Sequence, residues 1–193
     1  VRTQVLAVFL SSIAGFVDAT AFQEFGGVFV SFMSGNTTRL GVGLAAHTGW
    51  VGVAAGLIAA FVCGAALGSL LGRWARARRR PVVLMMVAGL LSLAAWLGPS
   101  EPSVFLMALA MGAENAVFEE DGEVRLGLTY MTGALAKTGQ KLAAAMTGGS
   151  PMAWAPYLLL WAGLMFGAVA GAATSANFGV GGSMGRGPWD SAG

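Results

Sequence analysis

Two short polar segments hold most of the residues in this chain that could do chemistry. Ser31-Phe32-Met33-Ser34-Gly35 is answered 98 positions later by Thr129-Tyr130-Met131-Thr132-Gly133: hydroxyl, aromatic, Met, hydroxyl, Gly. At the same offset Arg39 meets Lys137, Gly41 meets Gly139, and Leu44-Ala45-Ala46 meets Leu142-Ala143-Ala144. Hydroxyls, the Asn36 amide and one cation per copy suit a small polar or anionic solute. Glycine weakens a helix where they cluster. A helix broken at Gly35 or Gly133 presents fresh backbone N–H groups, and such ends attract anions. The candidate binding residues are therefore Ser34, Gly35, Asn36, Thr37 and Arg39 in the first copy, and Thr129, Thr132, Gly133 and Lys137 in the second. The plainer account is a kinked helix whose hydroxyls bond back onto their own backbone, so that the polar groups are interhelical glue.

Two carboxylates accompany these segments. Asp18, in Gly15-Phe16-Val17-Asp18-Ala19, aligns with Asn115 in Gly112-Ala113-Glu114-Asn115-Ala116, and Glu114 stands one residue earlier. A buried carboxylate is held neutral by desolvation or kept ionised by a nearby cation. Asp18 and Glu114 are thus candidates for proton coupling, or for ion pairs with Arg39 and Lys137. A charge in mid-membrane costs from about 3 to well over 10 kcal/mol. Arg39 lies eight residues from His47, roughly 12 Å at helical rise, which is a long way to reach an interface.

The elements that must position these groups are membrane helices. The 193 residues are 56% hydrophobic and only 10% charged, against about 25% charged in soluble domains. Five of the eleven basic residues (Arg73, Arg76, Arg78, Arg79, Arg80) fall in one eight-residue stretch. That is a cytoplasmic loop by the positive-inside rule rather than a nucleic-acid surface, and anionic lipid is a compatible contact. Cys63 is the single cysteine, and nothing resembles a metal-ligand cluster, a nucleophile elbow or a phosphate loop. Neither enzymatic activity nor a cofactor nor a metal is expected.

Apolar stretches at 5–22, 26–46, 51–72, 82–97, 104–118, 124–146 and 153–173 predict an all-α polytopic helical bundle. Gly64, Gly68 and Gly72 form overlapping G-x-x-x-G patterns, as do Gly163, Gly167 and Gly171. Such faces let helices approach closely within one chain, or join two copies into a homo-oligomer. The plan is three-one-three: repeat one at 3–73, a connector at 82–97 and repeat two at 103–173. Together these make one transmembrane domain over 1–176, with broken helices at Gly35 and Gly133 and a flexible tail at 177–193. If the polar segments cross, there are seven spans and parallel repeats. If they are re-entrant, there are five spans and inverted repeats. Segment lengths of about 21 residues favour the first reading, which is the one taken; Arg2 favours the second.

These stretches resemble the YoaK-like family of uncharacterised bacterial inner-membrane proteins. The resemblance rests on Gly15-Phe16-Val17-Asp18-Ala19, on Gly26-Gly27-Val28-Phe29-Val30 running into Met33-Ser34-Gly35-Asn36-Thr37, and on Leu126 through Gly139. It implies a multi-pass protein of the bacterial inner membrane and no particular substrate. The second copy departs from the family pattern, with Ala134, Ala136 and Lys137 where hydroxyls and Arg are expected. Transport of a small polar or anionic solute is thus expected from the physics, with a non-transporting sensor or assembly protein as the alternative. The expected partners are lipid and solute, without nucleic acid.

Overall fold

A computed structural model describes residues 2–120, 123–124 and 131–177. Thr129, Tyr130 and the tail from 178 onward lie outside the described residues. The described residues form seven α-helices, as the all-α expectation has it: α1 (Arg2–Glu24), α2 (Met33–Ala46), α3 (Trp50–Ala75), α4 (Arg79–Leu97), α5 (Glu101–Glu114), α6 (Met131–Met146) and α7 (Ala155–Asn177). Short 3-10 turns cover Arg76–Arg78 and Asn115–Phe118. A two-residue antiparallel pairing of Glu119–Glu120 with Glu123–Val124 follows α5.

Among the described residues, three stretches are long and apolar enough to cross a membrane: Thr3–Glu24, Trp50–Leu97 and Ala155–Asn177. The middle one is two helices, because the chain turns at the arginines, where Arg76 adopts a left-handed φ of 49°. Trp74 and Trp96, both 82% exposed, mark opposite ends of the α3–α4 hairpin, as interfacial tryptophans do. α2 and α6 are only 14 and 16 residues long, so at helical rise they reach roughly 21 and 24 Å, short of a bilayer core of about 30 Å; α5 also has 14 residues, but the 3-10 turn Asn115–Phe118 extends it.

The glycine ladders set the main packing. A Cβ on Gly167 would strike the Ser12 carbonyl, and one on Gly171 the Phe16 carbonyl. Likewise Gly64 lies on Leu109 and Gly68 on Ala113. In the other direction Gly15 lies on Leu164 and Gly112 on Phe61. Contacts advance together along both partners, so α7 runs parallel to α1, and α3 parallel to α5. The glycine faces thus serve packing within the chain, the first of the two roles read from sequence. Lipid offers no hydrophobic drive between helices, so this close backbone approach is what holds them.

Helix packing sorts into two groups. α1 packs along α7, which also carries α6; α3 packs with α2, α4 and α5; among the described residues the main helix-on-helix contact between the groups is a short meeting of α1 and α5. Phe25, Leu57, Met111 and Val117 are among the fully buried core side chains.

The helix break falls before Gly35, not at it. Residues 25–32 are non-helical, with Gly26 and Gly27 at φ 67° and 84°, while Gly35 sits in the first turn of α2, as Gly133 does in α6. At Gly35 a Cβ would overlap the Phe32 ring, so this glycine makes room for an aromatic instead of breaking the backbone.

Candidate functional site

Polar side chains hold the non-helical segment in place. The Val30 and Ser31 N–H groups donate to Asp18 Oδ1 at 2.7 and 2.8 Å, and the Ser31 hydroxyl donates to Oδ2. Asn36 Nδ2 donates to the Phe29 carbonyl at 2.6 Å, and its Oδ1 accepts from the Phe29 N–H at 3.4 Å. A backbone that leaves a helix in lipid needs such partners. These contacts also fix direction. Asn36 meets Phe29, and the Arg39 guanidinium lies 3.0 Å from where a Gly27 Cβ would be. Thus α2 runs back alongside the strand that led into it.

The starts of α2 and α6 meet at a cavity of about 300 Å³, lined by Ser31, Ser34, Asn115, Thr132 and Gly133 among others, with Phe61 and Ala65 of α3 as its wall. Two helix N-termini therefore open on one small chamber, mostly apolar but carrying three hydroxyls and one amide. A second, larger cavity of about 710 Å³ adjoins it between α1, the 25–32 segment, α6 and α7. The two share Ser31, Phe32, Met131 and Thr132.

Of the candidates read from sequence, Ser34, Thr132 and Gly133 line the small chamber. Gly35 and Asn36 support it from behind. The Thr37 and Thr38 hydroxyls bond back to the Met33 and Ser34 carbonyls at 2.8 and 3.1 Å, four residues earlier, so the plainer account holds for them. Arg39 and Lys137 do not flank the chamber. Each sits against an aromatic ring instead, Arg39 at 5.3 Å from Trp50 and Lys137 at 5.5 Å from Tyr157, within cation–π range. Nor does either pair with Asp18 or Glu114: the described ion pairs are Arg73–Glu119 and Arg79–Glu119. Glu114 is 0% exposed, and neither carboxyl oxygen has a hydrogen-bond partner among the described residues.

Three contributors were not singled out from sequence. Ser31 opens the repeated motif and was legible in it. Asn115 was visible only as the counterpart of Asp18; its Nδ2 donates to the Met111 carbonyl at 3.0 Å. Trp161, in the wall of the larger cavity, had no sequence signal beyond being aromatic.

Away from the chambers, Glu119 ties the α3–α4 turn to the end of α5. It pairs with Arg79 at 2.7 Å and Arg73 at 3.6 Å and accepts from the Ser69 hydroxyl. Arg79 Nε also donates to the Ala116 carbonyl at 3.0 Å. Burial pushes the Glu119 carboxyl up, but the bonds from Ser69 and Arg79 and the charges of Arg79 and Arg73 outweigh it and hold the group below the usual carboxylate value.

A family model described as "Protein of unknown function (DUF1275)" matches residues 6–185. The UPF0700 transmembrane protein RA0705 of Rhizobium meliloti (strain 1021) is 37% identical over 174 residues, covering 86% of this chain and 73% of that protein. No solved structure matches the chain. With apolar helices of crossing length and a family model spanning nearly its whole length, the chain is a membrane protein that belongs to the DUF1275 family.

Proposed function

We propose that the chain is a multi-pass carrier or channel of the bacterial inner membrane that passes a small polar solute through the chamber between α2 and α6. The carrying observation is the convergence of two short helices, N-termini first, on one cavity that carries the Ser31, Ser34 and Thr132 hydroxyls and the Asn115 amide on an otherwise apolar lining. Discontinuous helices meeting at mid-membrane are how many transporters build a central site. The helix ends are the remaining support for an anionic solute, since Arg39 and Lys137 face aromatic rings elsewhere. Asp18 and Glu114 remain the carboxylates through which the site's charge could be set.

The membrane layout that fits is five crossings (α1, α3, α4, α5, α7) and two re-entrant segments, rather than the seven crossings taken from segment length. Glu24 shares a cavity with Gly98 and Pro99, so α1 and α4 end on the same side, and α3 begins there. The segment between α1 and α3 thus returns to the side it left. With the arginine turn in the cytoplasm, the N-terminus is cytoplasmic too. The repeats are then inverted. Their support is the packing register: Gly64 on Leu109 matches Gly167 on Ser12, Gly68 on Ala113 matches Gly171 on Phe16, and Gly112 on Phe61 matches Gly15 on Leu164. A shift of 97 positions along the first helices and 103 along the third relates all three pairs. Each first helix packs on the other repeat's third helix, so alternating access would move the α1–α6–α7 group against the α2–α5 group.

The second reading, a non-transporting protein with polar glue, is favoured by Asp18, Asn36, Thr37 and Thr38, whose groups are all engaged locally. Accessibility separates the two. In a Cys63→Ala background, Ser34→Cys and Thr132→Cys are expected to react with a membrane-impermeant thiol reagent. If both stay inert in folded protein while exposed control cysteines react, the chamber is dry and the transport reading fails.

A further inference from the structure

The larger cavity has a chemistry of its own. Its volume of about 710 Å³ falls in the range of small-molecule sites, roughly 300–1,000 Å³, which are mostly apolar with a few placed polar groups. Four aromatic side chains line it: Phe22, Phe29, Phe32 and Trp161. The Phe29 ring stands 5.3 Å from both neighbours, tilted against Phe22 and edge-on to Phe32. The three phenylalanines therefore form a continuous wall, facing Trp161 from α7. Phe22 and Phe32 are 46% and 41% exposed, so their rings are open to an occupant.

Among the described residues, the charged side chain in that lining is Asp18. Its oxygens accept three bonds from Val30 and Ser31, the donor set an ionised carboxylate takes. Yet the described ion pairs are both made by Glu119, and none brings a cation to Asp18. Among the described residues, hydrogen bonds orient and stabilise the carboxylate but no cation answers its charge. A carboxylate in a membrane-level cavity calls for a counter-charge. Aromatic faces carry negative potential and attract cations, and quaternary cations, weakly hydrated and without hydrogen-bonding needs, suit such walls.

We propose that this cavity is a binding site for a lipophilic organic cation, its apolar groups against Phe22, Phe29, Phe32 and Trp161 and its positive centre near Asp18. A lipid tail would fill the apolar wall but supply no charge to Asp18. The inference concerns binding and stands apart from whether the chain transports.

The test uses the full chain in lipid nanodiscs with radiolabelled tetraphenylphosphonium, empty nanodiscs being subtracted. Saturable binding is expected, displaced by unlabelled tetraphenylphosphonium and not by tetraphenylborate, which has the same shape and the opposite charge. Phe22→Leu and Trp161→Leu, which keep an apolar wall and the carboxylate, are each expected to weaken binding about 3- to 10-fold. Asp18→Asn keeps an Oδ1 acceptor for Val30 and Ser31 and is expected to weaken it further. Should that variant not fold, the two ring variants still decide. The proposal is overturned if no saturable component exists, if tetraphenylborate or uncharged tetraphenylsilane competes as well as the cation, or if both ring variants bind like wild type.

Discussion

Asn36 and Asp18 each do the work of a missing stretch of helix. Asn36 reads both backbone groups of Phe29, and Asp18 takes the two N–H groups that follow. That polar residues cluster here was plain from the sequence. Which of them face a cavity was not, because a threonine that bonds four residues back, as Thr37 and Thr38 do, has the same one-dimensional signature as one that binds a solute. Glycines divide the same way. Gly167 and Gly139 are alike on paper, yet a Cβ on Gly167 would strike the Ser12 carbonyl, whereas one on Gly139 meets nothing within 4 Å. Gly167→Ala is therefore expected to force α1 off α7 and destabilise by about 1–3 kcal/mol. Gly139→Ala, in open helix, is expected to be neutral or to stabilise by up to about 1 kcal/mol. Thermal unfolding in one detergent compares them, and equal shifts in the same direction would refute the packing register.

Among the elements, the arginine turn serves structure as well as carrying charge. Its sequence suggested a cytoplasmic loop, but its tie to Glu119, some forty residues on, depends on α5 ending beside it. Glu119 is 5% exposed, so removing its charge leaves Arg79 with no described counter-charge, and breaking such a pair costs on the order of 3 kcal/mol. Glu119→Gln is expected to lower stability by that order at neutral pH and to loosen the start of the segment that leads to α6. The sign with pH follows from the lowered carboxyl. Its contribution is complete above the ordinary carboxylate value of 4.5 and fades as pH falls through the lower, folded value. Wild type and Glu119→Gln should therefore converge in strong acid and differ at neutral pH. A gap that widens on acidification would mean that Glu119 is not held as the ionised partner of Arg79.

For the whole molecule, the sequence suggested a three-one-three recurrence but not which helices pair. Matching segments look as though each repeat should pack as a unit. In fact α1 lies on α7 and α3 on α5, because a G-x-x-x-G face selects a partner by backbone approach, which sequence order does not encode. The consequence is a division into two packed groups that cuts across the proposed repeats. Spin labels on exposed positions can follow it: Phe9 and Phe166 within the α1–α6–α7 group, Val62 and Met85 within the other. If the groups rock, the Phe9–Phe166 and Val62–Met85 distances stay narrow and constant, while Phe9–Met85 broadens or shifts when tetraphenylphosphonium is added or the pH is changed. Movement within a group as large as that between groups would show that the glycine-packed pairs are not rigid bodies, and would remove the mechanical basis for alternating access around the α2–α6 chamber.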